Sequence, residues 1–152
     1  MKLSENLDLS EVTRSESAKR HAINNQPTPE HVENFKLLAE KIFQPIRNHF
    51  KVPIRISSGY RSKELNDKIG GSASSQHCKG QAIDIDQDGT SITNRQVFDF
   101  IKDNLPFDQL IFEFGDDDNP AWVHVSYSKN QQRGQVLKAF KLNNQTKYFP
   151  YE

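Results

Sequence analysis

Residues 74–86 read SSQHCKGQAIDID. The second half alternates: Ala82, Asp84 and Asp86 fall on one side of an extended chain, Ile83 and Ile85 on the other. Isoleucines at period two mark a strand whose apolar face meets a core. Asp84 then projects from the opposite face at mid-strand, where a carboxylate without a partner is costly to bury. The first half belongs to a polar loop over 72–81, and Gly80 lets that loop turn tightly. It brings His77 and Cys78 up to Asp84. Three readings are open: a metal site, a thiol with its base, or an ordinary loop entering a buried strand.

Outward from this stretch the chain alternates between helical and extended patterns. In 10–25 a short helix with Ser15 as N-cap is expected. Residues 27–50 carry the clearest helix, with Thr28 as cap and Pro29 in the first turn. Val32, Phe35, Leu38, Ile42, Ile46 and Phe50 make one apolar stripe at three- and four-residue spacing. Pro45 should kink the helix near its C-terminal end. Strands are expected at 52–60, 82–86, 109–115 and 121–127, with 134–142 as the last. Short helices fill 62–71 and 93–104. The strands 109–115 and 121–127, joined by the turn DDDNP, should pair antiparallel. The sum is an α+β fold: a small antiparallel sheet with N-terminal helices packed on one side. A single domain over 1–152 is expected, with 1–27 as an N-terminal arm.

Twenty basic and twenty acidic residues are interspersed and sum to a net charge of +0, so no electrostatic footprint for nucleic acid is visible. No apolar run approaches the ~20 residues of a membrane span. The N-terminus MKLSENLDLSEV lacks the apolar region of a secretory signal. Cys78 is the only cysteine, so no disulfide forms within the chain.

Of the five histidines, His21, His31 and His49 lie on helical segments and read as surface or structural residues. His77 and His124 lie next to the sheet. On 121–127, Val123, Val125 and Tyr127 share one face; Trp122, His124 and Ser126 share the other. Two imidazoles and one carboxylate from rigid elements are a zinc-ligand set that leaves a fourth position for water. The competing reading keeps His77 as a loop histidine and Asp84 as a salt-bridge residue. A Cys78 nucleophile with His77 as base is weaker, because neighbouring loop residues rarely aim at each other. Hydrolysis also needs a base, and Glu113 sits mid-strand on the face opposite Phe112 and Phe114. Arg61, between a strand and a helix, is placed to meet a carboxylate or a developing oxyanion.

Taken together, SSGYRSKELNDKIGG (57–71), SSQHCKGQAIDID, FDQLIFEFG (107–115) and WVHVSY (122–127) resemble the D-Ala-D-Ala carboxypeptidase family of zinc peptidases, which includes phage and bacterial murein peptidases. The pattern S-x-H-x-x-G-x-A-x-D is matched by Ser75, His77, Gly80, Ala82 and Asp84, and a distal W-x-H by Trp122 and His124. The likeness runs from the arm at about residue 10 to 127. It implies Zn2+ held by His77, Asp84 and His124. It implies Arg61 holding substrate or the tetrahedral intermediate, with Ser75 and Trp122 lining the substrate side. It implies the small α+β fold shared with the Hedgehog signalling domain, and peptidoglycan stem peptides as substrates. One departure stands out: many members carry the catalytic carboxylate three residues before the last histidine ligand, where this chain has Ala121. Glu113 is the expected replacement.

The expected function is that of a zinc metallopeptidase cutting amide bonds in stem peptides, as a D-Ala-D-Ala carboxypeptidase or a murein endopeptidase. The alternative is a non-catalytic zinc domain that binds wall peptides or a protein partner. The expected protein is a monomer with no nucleic-acid or membrane partner. It is made in the cytoplasm and reaches the wall by release or another export route; phage or prophage origin fits that. A cysteine hydrolase would instead require that Cys78→Ser be inactive and a chelator harmless.

Overall fold

The stripe of the long helix and the isoleucines of 82–86 meet in one core. A computed structural model describes residues 1–152. The chain begins with a hairpin, β1 (Lys2–Ser4) and β2 (Leu7–Asp8), then α1 (Leu9–Thr13) and α2 (Glu16–Arg20). A long helical run follows: α3 (Pro29–Leu38), a π-helical turn (Ala39–Phe43) and α4 (Gln44–Phe50). Then come β3 (Ile56–Ser58), α5 (Lys63–Lys68), a 3-10 turn (Gln76–Lys79), β4 (Ala82–Ile85) and α6 (Asn94–Asn104). The chain ends in β5 (Gln109–Glu113), β6 (Trp122–Ser126), β7 (Gln135–Leu142) and β8 (Gln145–Pro150).

Six strands form one sheet in the order β3-β4-β6-β5-β7-β8. One face carries Ile83, Ile85, Leu110, Phe112, Val123 and Val125, all fully buried in the cluster that also holds Phe35, Leu38, Ile42 and Ile46 of the long helix. Each such side chain contributes about 1.5–3 kcal/mol by leaving water. The opposite face carries Asp84, His124 and Glu113. No helix is long and apolar enough to cross a membrane.

Several expectations need correction. The sheet is mixed rather than antiparallel, because β5 and β7 pair in parallel. After β6 the chain passes the start of β5 and lays β7 on its far side. Asp108 holds that crossing. Its carboxylate has no exposed surface and accepts from Arg133 Nε at 2.8 Å, Nη2 at 3.0 Å and backbone N–H at 3.1 Å. A fourth bond comes from Gln76 Nε2 at 3.0 Å. β8 was not expected at all; Asn143 and Asn144, with φ of 52° and 64°, form the turn into it. The strand expected at 52–60 shortens to Ile56–Ser58. There the Gln87 side chain accepts from Arg55 N–H at 2.6 Å, displacing a ladder bond, and Pro53 has no N–H to offer.

Where Pro45 was expected to kink the helix, the α-helical pattern is interrupted just before it, and the helical run then continues to Phe50. The π-helical turn before Pro45 widens the backbone and absorbs the carbonyl that the proline ring would strike. The N-terminal arm packs into the same core through Leu3, Leu7 and Val12. Ser15 does cap α2, accepting from Ala18 N–H.

Asp108→Asn weakens a charge-assisted network that ties the β6–β7 crossing to the turn bearing His77. It is expected to lower unfolding free energy by about 2 kcal/mol, measured by urea denaturation.

Candidate metal centre

β4 and β6 pair so that Asp84 lies directly opposite His124. Cross-strand neighbours share a face, so both side chains rise from the sheet side away from the core. His124 Nδ1 stands 3.0 Å from Asp84 Oδ1. His77 Nε2 stands 3.3 Å from the same oxygen. The ligand-type atoms of these three residues all lie within 4.8 Å of one another.

His77 reaches this point through the 3-10 turn. Ser75 caps it, its hydroxyl accepting from His77 N–H at 3.2 Å. Gly80 ends it with φ of 71°, and a Cβ there would strike the backbone carbonyl of His31. His77 Nδ1 lies 2.7 Å from the carbonyl oxygen of Gly59. A carbonyl only accepts, so Nδ1 carries a proton, and in the neutral ring Nε2 keeps its lone pair. That lone pair faces a carboxylate oxygen, and Nε2 is buried without a hydrogen-bond partner. An orphaned buried acceptor costs about 1–3 kcal/mol. A cation between the two imidazoles and the carboxylate removes that cost, so the donor set fits a metal. Two nitrogens and one oxygen suit zinc, with the Gly59 carbonyl as the outer partner that orients His77. Burial works against the Asp84 carboxylate, but when the flanking His77 and His124 are protonated and no cation is bound, their charge and hydrogen bonds overcome it and hold the group well below the usual carboxylate range.

Cys78 is not part of this group. Burial pushes its thiol pKa up, only partly offset by Arg61. Both nitrogens of His77 are directed elsewhere, so no base serves the thiol. Asp86, on the same strand, is engaged elsewhere: its Oδ1 accepts from Asp88 N–H at 3.0 Å and Asn94 Nδ2 at 3.1 Å, at the turn that leads to α6.

The three residues open into a cleft of about 920 Å³ that is also lined by Arg61, Ser75, Glu113 and Trp122. β5 pairs with β6 so that Glu113 faces Trp122 and Ile111 faces His124. Glu113 is therefore one strand over from His124 on the same face, and only 7% exposed. Burial raises its pKa to about 7, against the pull of His124.

A family model described as Peptidase M15 matches residues 5–126. The chain belongs to the peptidase M15 family. A search of curated proteins returns no match. The family match bears out the resemblance carried by the motifs around His77, Asp84 and His124. In this M15 peptidase the position three residues before His124 is an exposed alanine, and Glu113 lies close to it in the backbone. Ala121 N–H donates to the Glu113 carbonyl at 2.9 Å, so the two positions are neighbours across the β5–β6 turn.

Some residues that shape the site left little trace in the sequence. Asn66, on α5 and 2% exposed, accepts from Arg61 Nη1 at 3.3 Å. Asn25 donates to the carbonyls of Thr13 and Tyr60 and accepts from Ser62 N–H at 2.8 Å, so it grips the backbone on both sides of Arg61. Arg61 Nε is buried and has no partner within the protein. A polar residue ending a helical pattern, as Asn25 does, reads only as a terminator. Its partners are remote in sequence.

Two outcomes test the centre. His124→Ala is expected to weaken zinc binding by more than about 100-fold, measured by metal analysis and competitive chelation. The second concerns Glu113 in chelated protein. Its folded pKa, about 7, lies above the ordinary 4.5, so its contribution is full at low pH and lost as pH rises through 7. Glu113→Gln should therefore match the parent's stability near about pH 4 and exceed it near about pH 8, by at most about 3 kcal/mol. Thermal unfolding at the two pH values reads this out.

Proposed function

We propose that this M15 member is a zinc-dependent peptidase that hydrolyses amide bonds in peptidoglycan stem peptides. The observation that carries the reading is the joint placement of His77, Asp84, His124, Glu113 and Arg61 in one polar cleft. Its geometry also supports the expected fold of the D-Ala-D-Ala peptidases, shared with the Hedgehog signalling domain. Action as a monomer is part of this proposal. The cell wall is the place of action that this reading proposes.

Zinc held by His77, Asp84 and His124 would polarise the scissile carbonyl and acidify water. The chain's own groups do the rest. Glu113, buried and with its pKa near 7, accepts the proton of the attacking water and returns it to the leaving amine nitrogen. Arg61, whose Nε has no internal partner, offers its guanidinium to the oxygen that gains charge. Asn66 and Asn25 hold that arginine and its backbone in place. Ser75 serves chiefly by fixing the His77 backbone, and Trp122 walls the cleft beside Glu113.

The test is digestion of purified muropeptides, followed by mass spectrometry. New amine termini are expected, and a chelator should abolish them. Loss of terminal D-alanine marks a carboxypeptidase; internal cuts mark an endopeptidase. Glu113→Gln should keep zinc and lose about 100-fold or more in kcat. Zinc-loaded protein that leaves every muropeptide intact would replace this reading with that of a wall-peptide binder.

A further inference from the structure

The chain continues beyond the residues matched by the family model, and what it builds there borders the cleft. β7 lies parallel to β5 with Ala139 beside Glu113. β8 pairs with β7 so that Tyr148 lies opposite Ala139. Glu113, Ala139 and Tyr148 thus form one row across three strands, on the face that carries the metal ligands. Neighbouring strands are about 4.8 Å apart, which puts the backbones of Glu113 and Tyr148 about 10 Å apart. The residue between them is an alanine with no exposed surface. No long side chain separates the carboxylate from the phenol.

Tyr148 is 52% exposed and lines the cleft together with Leu137 and Thr146, which share its face. Partial burial and the carboxylates of Glu113 and Asp84 push the phenol pKa up, and no hydrogen bond within the protein contributes. The hydroxyl is therefore neutral, keeps its proton and is free to donate it. The next residue, Phe149, points to the reverse face and packs against Phe140 at 5.9 Å between ring centroids.

We propose that Tyr148 is a substrate-contacting residue: its hydroxyl donates a hydrogen bond to an acceptor oxygen of the peptide bound beside Glu113, and the β7–β8 hairpin forms one wall of the substrate cleft. The proposal rests on the peptidase reading of this site. It adds a specificity element from a segment that lies outside the family match.

The experiment uses full-length zinc-loaded protein with Tyr148→Phe, Tyr148→Ala and, as a control on the reverse face, Phe149→Ala. Two readouts are taken. One is kcat and KM on a stem-peptide substrate. The other is calorimetric binding of that peptide in a Glu113→Gln background. Tyr148→Phe keeps the ring and should keep zinc content and melting temperature, yet lose about tenfold in kcat/KM, the value of one hydrogen bond. Binding should weaken by a similar factor. Tyr148→Ala should lose more, and Phe149→Ala should match the parent. Parental kinetics and binding for Tyr148→Phe overturn the proposal while leaving the peptidase reading intact. If the parent binds the peptide without cutting it, the peptidase reading falls, and the binding arm still decides Tyr148. A parent that neither binds nor cuts the peptide overturns both.

Discussion

A single carboxylate oxygen faces two imidazoles, and much of the molecule is arranged around that contact. Asp84 Oδ1 lies 3.0 Å from His124 Nδ1 and 3.3 Å from His77 Nε2. The first pairing follows from strand register: Asp84 and His124 are direct partners on β4 and β6. The second depends on a turn, and the turn is held at several points. Ser75 caps it, Gly80 lets it end against the long helix, and the Gly59 carbonyl selects the tautomer of His77. Without a cation, the result is a buried acceptor facing another acceptor. Such a cluster is stable only because the surrounding core outweighs its local cost.

The same sheet does two jobs because its faces are chemically opposite. Ile83, Ile85, Val123, Val125, Leu110 and Phe112 anchor one face to the helices. Close packing there leaves strand positions little freedom, so the residues between them are held firmly on the other face. A carboxylate on β5 and a residue on the turn before β6 therefore lie close to the same histidine. Both positions border the same ligand, one across the ladder and one along it. The location also acts on Glu113: burial lifts its pKa towards neutrality, which suits the base proposed for it.

How much could be read from the residues alone varied with the range of the interaction. The strand at 82–86 and the helical stripe from Val32 to Phe50 are local periodic patterns, and both were legible. The Ser75-to-Asp84 motif was legible because its candidate ligands lie on one short loop and strand. Asn25, Asn66 and Asp108 were not. Each is an ordinary polar residue in sequence, and each owes its role to partners brought up by folding. For Asn25 the partners are Tyr60 and Ser62; for Asp108 they are Gln76 and Arg133. β8 was missed for another reason. The Asn143-Asn144 turn is a hairpin signal, but the short run after it mixes polar and aromatic residues with little apolar alternation.

The sequence by itself determined the chemistry: which side chains can hold a metal, which strand face each occupies, and that the set belongs to the M15 peptidases. The strand faces follow from a period of two, a property of neighbouring residues, while the metal set and the family follow from the resemblance of the motifs, which the family match bears out. Only the tertiary structure decided which carboxylate stands beside His124, how Arg61 is held, and that a C-terminal hairpin runs parallel onto β5 to border the cleft. Register between strands and the path of a crossing connection depend on contacts across many tens of residues. No local pattern specifies them, because the free energy that selects them comes from burying the whole sheet at once.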